Sequence, residues 1–446
     1  MNVEKSITRP FKAKVLCVAI TASLAGFIAP ASADTASDLE ALKAQIAALQ
    51  NSIAALEQKQ AETAKAVAPA NSVTAGTTPG SFKLPGSNTS VKFGGYVKAD
   101  LLYSDTSAGA GSTLDQLLVP GSIPLDSDTN TEDGQITLHA RQTRLNFATS
   151  TPTAWGDLKT FVEADFFGAN GNEVVSNSNG LRTRHAFGSL GGLLAGQTWS
   201  TFMDAGSLPE TLDFGGPVGE LFVRQTQVRW TEGFDGGSWS IAAESPESFL
   251  TTANAGGGSN GQTDDDKVPD LVARLDFNTS AGRFALAAMA RNIRVDTAMG
   301  ADDQWGGALA AYGVVPTIGK DTFQFSLTAG NALGRYMGQA VFSDGSVDTS
   351  GDLTLNNQWG AILAYRHFWM DNLRSTLALS TARASNPSGA TTANMNQSSD
   401  TAHLNLLWSP VASTTFGLEL IHARRETEDG RNGDLNRVQT SAQYNF

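Results

Sequence analysis

Cysteine occurs once in the 446 residues, at Cys17. An intrachain disulfide is therefore excluded, and no Cys-bearing metal or thiolate motif can be built. Downstream of residue 30 no apolar run reaches the ~20 residues of a membrane-spanning helix. H-E-x-x-H, G-x-S-x-G and P-loop patterns are also missing. The five histidines, His139, His185, His367, His403 and His422, fall in separate segments. A basic excess is lacking too: the net charge of −13 argues against nucleic acid as a partner. No cofactor and no metal site is expected.

What the chain has begins with a leader. Lys5, Arg9, Lys12 and Lys14 precede the apolar run VLCVAITASLAGFIA, and Ala31-Ser32-Ala33 follows. This order reads as a signal peptide over residues 1–33, cleaved after Ala33. The run is too short for a membrane anchor, and Leu16 before Cys17 does not suit lipid attachment.

Residues 34–65 form a different kind of segment. Leu39, Ile46 and Ile53 occupy heptad positions a, and Leu42, Leu49 and Leu56 occupy d. A stripe this narrow favours helix self-association over docking on a single domain. With only about three heptads it would assist an assembly held elsewhere. Ile at a with Leu at d nominally prefers two strands. Residues 66–90, rich in Pro, Gly, Ser and Thr, read as a flexible linker.

From Val91 to Phe446 apolar residues recur at every second position. Val91, Phe93, Val97, Leu101 and Tyr103 alternate with Lys92, Tyr96, Lys98 and Asp100. Leu158, Val162 and Phe166 alternate with Lys159, Glu163 and Asp165; Phe416, Leu418 and Leu420 alternate with Thr415, Gly417 and Glu419. Period two puts the two sets on opposite faces of a strand. Hydrophobic content of 41% and mean hydropathy of −0.17 suit a membrane barrel, where only alternate residues meet lipid. About sixteen such segments occur, an even number as single-chain barrels require. The connections alternate between long and short, which places long loops on one rim and tight turns on the other. The expectation is an all-β fold: a 16-stranded antiparallel transmembrane barrel over 91–446, preceded by a short coiled-coil helix. The last strand ends on Tyr444 and Phe446, with Phe446 facing lipid at the periplasmic rim. A terminal aromatic of this kind resembles the signal read by outer-membrane assembly machinery.

FGGYVKADLLYS at Phe93, ARQTRLNF at Ala140, FVEADF at Phe161, LRTRHAFGSLGGLLAGQTWSTFMD at Leu181 and PDLVARLDF at Pro269 resemble the DcaP-like porins. The resemblance covers nearly the whole chain after the leader. It implies an outer-membrane homotrimer that conducts small anions, notably dicarboxylates, with the coil in the periplasm. A trimer brings three helices together, against the two-strand preference of the heptads.

In such a channel, selectivity lies in the charges of the lumen wall. Parity assigns Lys98, Arg144, Arg182, Arg184, Arg229, Arg274, Arg291, Arg374 and Arg437 to that wall. They are candidates to attract carboxylates through forked guanidinium bonds. The alternative is that they neutralise Glu163, Asp165, Asp276 and Glu419. Arg141 conflicts with its neighbours in parity and is not assigned. The loop after the fifth strand, MDAGSLPETLDFGGPVGE at Met203, is expected to fold inward. There Asp204, Glu210, Asp213 and Glu220 would face the basic wall. Acidic outer loops would keep the surface hydrated or share cations with lipopolysaccharide. Two readings stand beside the channel: a barrel hydrolase using His422, and a trimeric envelope tether working through its coil.

Overall fold

The alternating segments become strands in the computed structural model, which describes residues 35–66, 72–109, 112–129, 131–168, 176–252, 259–263, 265–387 and 395–446. The expected leader over 1–33 and residues 67–71 of the expected linker lie outside the described residues. Two compact units are present, Met1–Ser72 and Val73–Phe446. In the first, Thr35–Ala66 is one α-helix. Its six heptad residues are 50–66% exposed, so the single chain leaves the stripe uncovered.

The second unit is a barrel of sixteen strands. β1 is Ser90–Ser107, and β2 runs as Glu132–His139 and then Arg144–Thr153. β3 to β6 are Gly156–Asp165, Arg182–Leu190, Leu193–Trp199 and Arg224–Phe234. β7 to β11 are Gly237–Glu244, Asp270–Thr279, Gly282–Thr297, Gly300–Pro316 and Thr322–Gly330. β12 to β16 are Asn357–Met370, Leu373–Ser385, Asn396–Val411, Thr414–Thr427 and Asn432–Asn445. Each pairs antiparallel with its neighbour in sequence, and β16 closes on β1 from Arg437↔Ser104 to Asn445↔Tyr96. Closure removes the free edges that an open sheet would expose in lipid.

Exposure follows the parity read from the sequence. Leu101, Leu271, Leu363 and Leu420 lie 44–49% exposed on the outer wall, whereas the polar residues between them face inward. Tyr444 and Phe446 are exposed at the last strand's end, where Phe446 N–H donates to the Gly95 carbonyl at 3.1 Å. Gly95 has φ +150°, and a Cβ there would lie 2.1 Å from the Arg144 carbonyl oxygen. The seam that receives the C-terminal residue therefore requires glycine.

Three local differences from the sequence reading have simple causes. Thr74–Ala75 and Phe82–Lys83, within the expected linker, form a small hairpin on β1. Phe82 stacks on Phe93 with 6.3 Å between ring centres, which anchors a stretch otherwise poor in apolar residues. In β2, Asp100 faces His139 and Tyr96 faces Arg144, so β2 carries one residue more than β1 over the same stretch. This bulge turns Arg141 inward to 3% exposure and removes its parity conflict. Finally, the inner face of β9 and β10 is apolar: Ala285, Ala287, Met289, Ile293, Ala308, Ala310 and Tyr312 are buried beneath Phe202, Val218, Leu333, Tyr336 and Phe342. Loops 200–223 and 331–356 thus supply a core inside the barrel.

Candidate functional site

The loop over residues 200–223 follows the inner wall from β8 round to β1. Much of its backbone is held by wall side chains. Tyr312 donates to the Phe202 carbonyl at 2.7 Å, Gln324 to that of Leu208 at 3.3 Å, and Asn405 to that of Glu210 at 2.6 Å. Lys98 Nζ donates to the Leu212 carbonyl at 2.8 Å. The Glu419 carboxylate accepts from the Leu212 and Asp213 N–H groups at 2.8 and 3.1 Å. Gly219 passes so close to β12 and β13 that a Cβ would lie 2.9 Å from the Thr381 carbonyl oxygen.

The loop carboxylates meet wall arginines directly. Asp204 accepts from Arg274 at 3.0 Å and from Arg283 at 2.6 Å. Burial raises its proton affinity, but the hydrogen bond and charge of Arg283 and the charge of Arg274 hold its pKa below the ordinary value. Glu210 takes a two-pronged contact from Arg374 at 2.5 and 2.8 Å. Asp213 pairs with Arg437 at 2.9 Å. These are joints that fix the loop to the wall, in place of carboxylates facing it across water.

Glu220 differs from the other three. The residue is 3% exposed, and its carboxyl makes no ion pair among the described residues and packs on Gly216 (φ +61°), where a Cβ would lie 2.6 Å from Glu220 Oε2. Burial, with Asp213 nearby, pushes its pKa well above the ordinary 4.5. The raised value means that its stabilising effect is complete below about 4.5 and declines as pH rises toward the folded-state value. Glu220→Gln should therefore raise the urea midpoint at pH 8, leave it nearly unchanged at pH 4, and flatten the profile between. An unaltered profile would refute a neutral buried carboxyl.

All nine basic residues assigned by parity have their side chains on the inner wall, but they divide by environment. Arg291 and Arg437 are 1% and 2% exposed. Arg291 bonds Asp270 at 3.0 Å, Asp344 at 2.6 Å and two carbonyls, so it ties loops 245–269 and 331–356 to β9. Arg437 bonds Ser104, Asp213 and the Leu114 carbonyl. Lys98 is spent on Asp100, Gln142 and Leu212. The expectation that these three line the water path gives way to a packing role, because their donors are enclosed and occupied, and the same holds for Arg184, 1% exposed and bonded to Glu163 and Asp165. Arg274 and Arg374 are held by the loop, as described. Arg229 has no ion pair among the described residues, and its Nε is buried without a hydrogen bond.

Arg144, Arg182 and Arg184 gather on β2–β4, together with Arg224 on β6, which sequence reading missed. Register explains the cluster: Arg144 and Arg182 both face Asp165, alternation keeps Arg184 on the side of Arg182, and a bulge at Glu163/Ala164 sets His185 opposite Glu163. Arg182 grips Asp165 at 2.9 and 2.7 Å; Arg184 reaches Glu163 at 2.7 Å and Asp165 at 3.0 Å; Arg144 lies 3.8 Å from Glu163. Arg224 has no carboxylate partner among the described residues, and its Nε and Nη2 are buried without hydrogen bonds. Four guanidinium groups thus share two carboxylates. Aromatic rings line the cluster: Phe167, Phe214, Phe222 and Trp199 follow one another at 4.6, 5.6 and 4.9 Å. Arg224 lies 4.3 Å over Trp199, and Arg182 lies 5.2 Å over Phe214. Ring faces partly replace the hydration that burial removes from these cations. The signal in sequence was the pair Phe222 and Arg224, where the loop runs into β6.

His422, on the outer wall, bonds Asn436 Oδ1 at 2.9 Å rather than a serine hydroxyl. A barrel hydrolase needs an activated nucleophile beside its histidine, and this geometry offers none.

The family model described as DcaP outer membrane protein matches residues 27–446. The chain belongs to that family. It is an outer-membrane channel of porin type, not an enzyme. The crystal structure of the outer membrane channel DcaP of Acinetobacter baumannii is similar, at 23% identity and a TM-score of 0.69 over 82% of this chain and 99% of that one. OmpT of Vibrio cholerae resembles it at 11% identity and a TM-score of 0.51 over 80% and 98%. Among curated proteins none matches the chain.

Proposed function

We propose that this DcaP-family chain conducts small anions, carboxylates above all, past the arginine cluster of β2–β6. The observation that carries the reading is the imbalance at that wall: Arg144, Arg182, Arg184 and Arg224 against Glu163 and Asp165. An incomplete set of counter-charges leaves the wall net positive toward a passing carboxylate, and charged rings on a lumen wall select ions by sign. The loop over 200–223 narrows the path so that a solute passes within reach of the wall. The reversal potential of the reconstituted protein across a potassium chloride gradient tests this. Anion preference, with added succinate reducing chloride current, is the expected result. Cation preference would refute the basic-wall reading.

The assembly is read as a homotrimer aided by the helix. The uncovered stripe of Leu39, Leu42, Ile46, Leu49, Ile53 and Leu56 supports self-association, as do the short walls β3–β5, whose strands have 10, 9 and 7 residues against 16 and 17 in β9 and β10. Removing residues 35–66 should leave conductance intact and lower the dissociation temperature of the oligomer by a few degrees, measured on unboiled gels. An unchanged temperature would leave the helix without an assembly role.

A further inference from the structure

Between the arginine cluster and the short-turn rim, the inner wall carries a second set of cations. One register row joins several of them: Lys83 faces Ser90, Ser90 faces Ser150, Ser150 faces Lys159, and Lys159 faces Ser189. The row continues through Leu194 to Arg229 on β6. On β2, Ser150 shares the parity of Arg144 and Asn146, so the whole row faces the lumen. Lys92 stands two residues above Ser90 and lies against the hairpin turn, since a Cβ on Gly80 would be 4.0 Å from its Nζ. Across the barrel, Arg366 on β12 faces Thr322 and Thr376.

Four of these cations have no close counter-charge. Lys92 and Lys159 are exposed and make no ion pair among the described residues. Arg229 makes none either, and its Nε is buried without a hydrogen bond. Arg366 Nε is in the same state, and its guanidinium lies 4.0 Å from Glu210. Glu210 itself is held by Arg374 and Asp276 by Arg274, while exposed Asp157 beside Lys159 has no ion pair among the described residues. This mouth is therefore net positive. It is also remote from the cluster: Asp165, at the level of Arg144 and Arg182, lies about 20 Å along β3 from Lys159 at ~3.3 Å per residue. A small carboxylate cannot touch both sets at once.

We propose that the short-turn mouth is a second anion station, where Lys92, Lys159, Arg229 and Arg366 collect small carboxylates apart from the arginine cluster. The inference rests on the anion-channel reading above and adds a site to it. Serine hydroxyls separate the cations along the row, so an anion is held there by charge across water. Such a hold is loose, and a conducting pore needs sites that release as well as bind. Charge of this kind acts mainly on the rate of arrival.

The test is single-channel recording of current block by succinate, added to one side at a time. A bulky tag ahead of the helix, unable to cross the bilayer, fixes which side is which. Lys92→Gln with Lys159→Gln should slow succinate arrival from the short-turn side about threefold at ~0.1 M salt. At ~1 M the difference should nearly vanish, because screening cuts the reach of charge from about 10 to about 3 Å. Arrival from the long-loop side should stay unchanged, and Lys92→Arg with Lys159→Arg should behave as wild type. A general distortion of the pore would instead alter both sides at both salts, and that result would overturn the station. So would equal arrival in the glutamine pair and wild type at ~0.1 M. The cluster falls separately: Arg224→Gln without effect on anion preference, beside a slowed glutamine pair, would remove the cluster and keep the station.

Discussion

Arg437→Ala is expected to lower the stability of the barrel by about 3–5 kcal/mol, the usual cost of breaking one side of a buried ion pair. Arg437 and Asp213 both lie in the interior, 2.9 Å apart. Asp213 also accepts from the Leu118 and Gly215 N–H groups at 2.8 and 2.7 Å, so one carboxylate joins loop 108–131, loop 200–223 and β16. Alanine at 437 would strand that carboxylate together with the Leu114 carbonyl. Urea unfolding in detergent reads the loss. Arg437→Met with Asp213→Leu should restore most of it, since an apolar pair of similar bulk carries no desolvation cost. Single-channel conductance of Arg437→Ala should also rise as the loop loses an anchor. A loss under about 1 kcal/mol, the range of a surface pair, would refute the joint.

Arg224→Gln is expected to do the reverse. It should cut the anion-to-cation permeability ratio about fivefold, the effect of roughly 1 kcal/mol from one charge at ~4 Å in water. Its urea midpoint should stay the same or rise, because Arg224 has no counter-charge and sits among Arg144, Arg182 and Arg184. Reversal potentials across a tenfold potassium chloride gradient, paired with urea titrations, separate the two effects. Arg291→Gln is the control with the opposite profile, less stable but equally selective, because its guanidinium is enclosed by Asp270 and Asp344. Equal selectivity in Arg224→Gln and wild type would remove the cluster from the conduction path.

The strands were legible because period-two alternation survives wherever one face meets lipid and the other meets polar groups. It fails on β9 and β10, where Ala285, Ala287 and Ala308 face inward yet are as apolar as the outer Leu286 and Leu309. Loops cover that inner wall, and no local pattern announces a loop packed inside a barrel. The arginines were legible as inward-facing but not as free or occupied. Arg291 and Arg182 look alike in sequence, and what separates them is whether a distant loop arrives at the same point. Arg141 escaped parity because a bulge inserts one residue, and Arg224 because it stands where the inward loop ends.

The inward loop is held largely through its own carbonyl and N–H groups: those of Phe202, Leu208, Glu210, Leu212 and Val218 all bond wall side chains. Backbone groups are common to every residue type except proline at the N–H. Where the wall grips the main chain, as at Leu208, the loop's course depends little on the side chain carried there, unlike at Asp204, Glu210 and Asp213, whose carboxylates are joints. Substitutions at such positions can alter what the channel admits while the frame stays in place, so descendants can adapt to new nutrients, or shut out a toxic solute, in single mutational steps without refolding the pore.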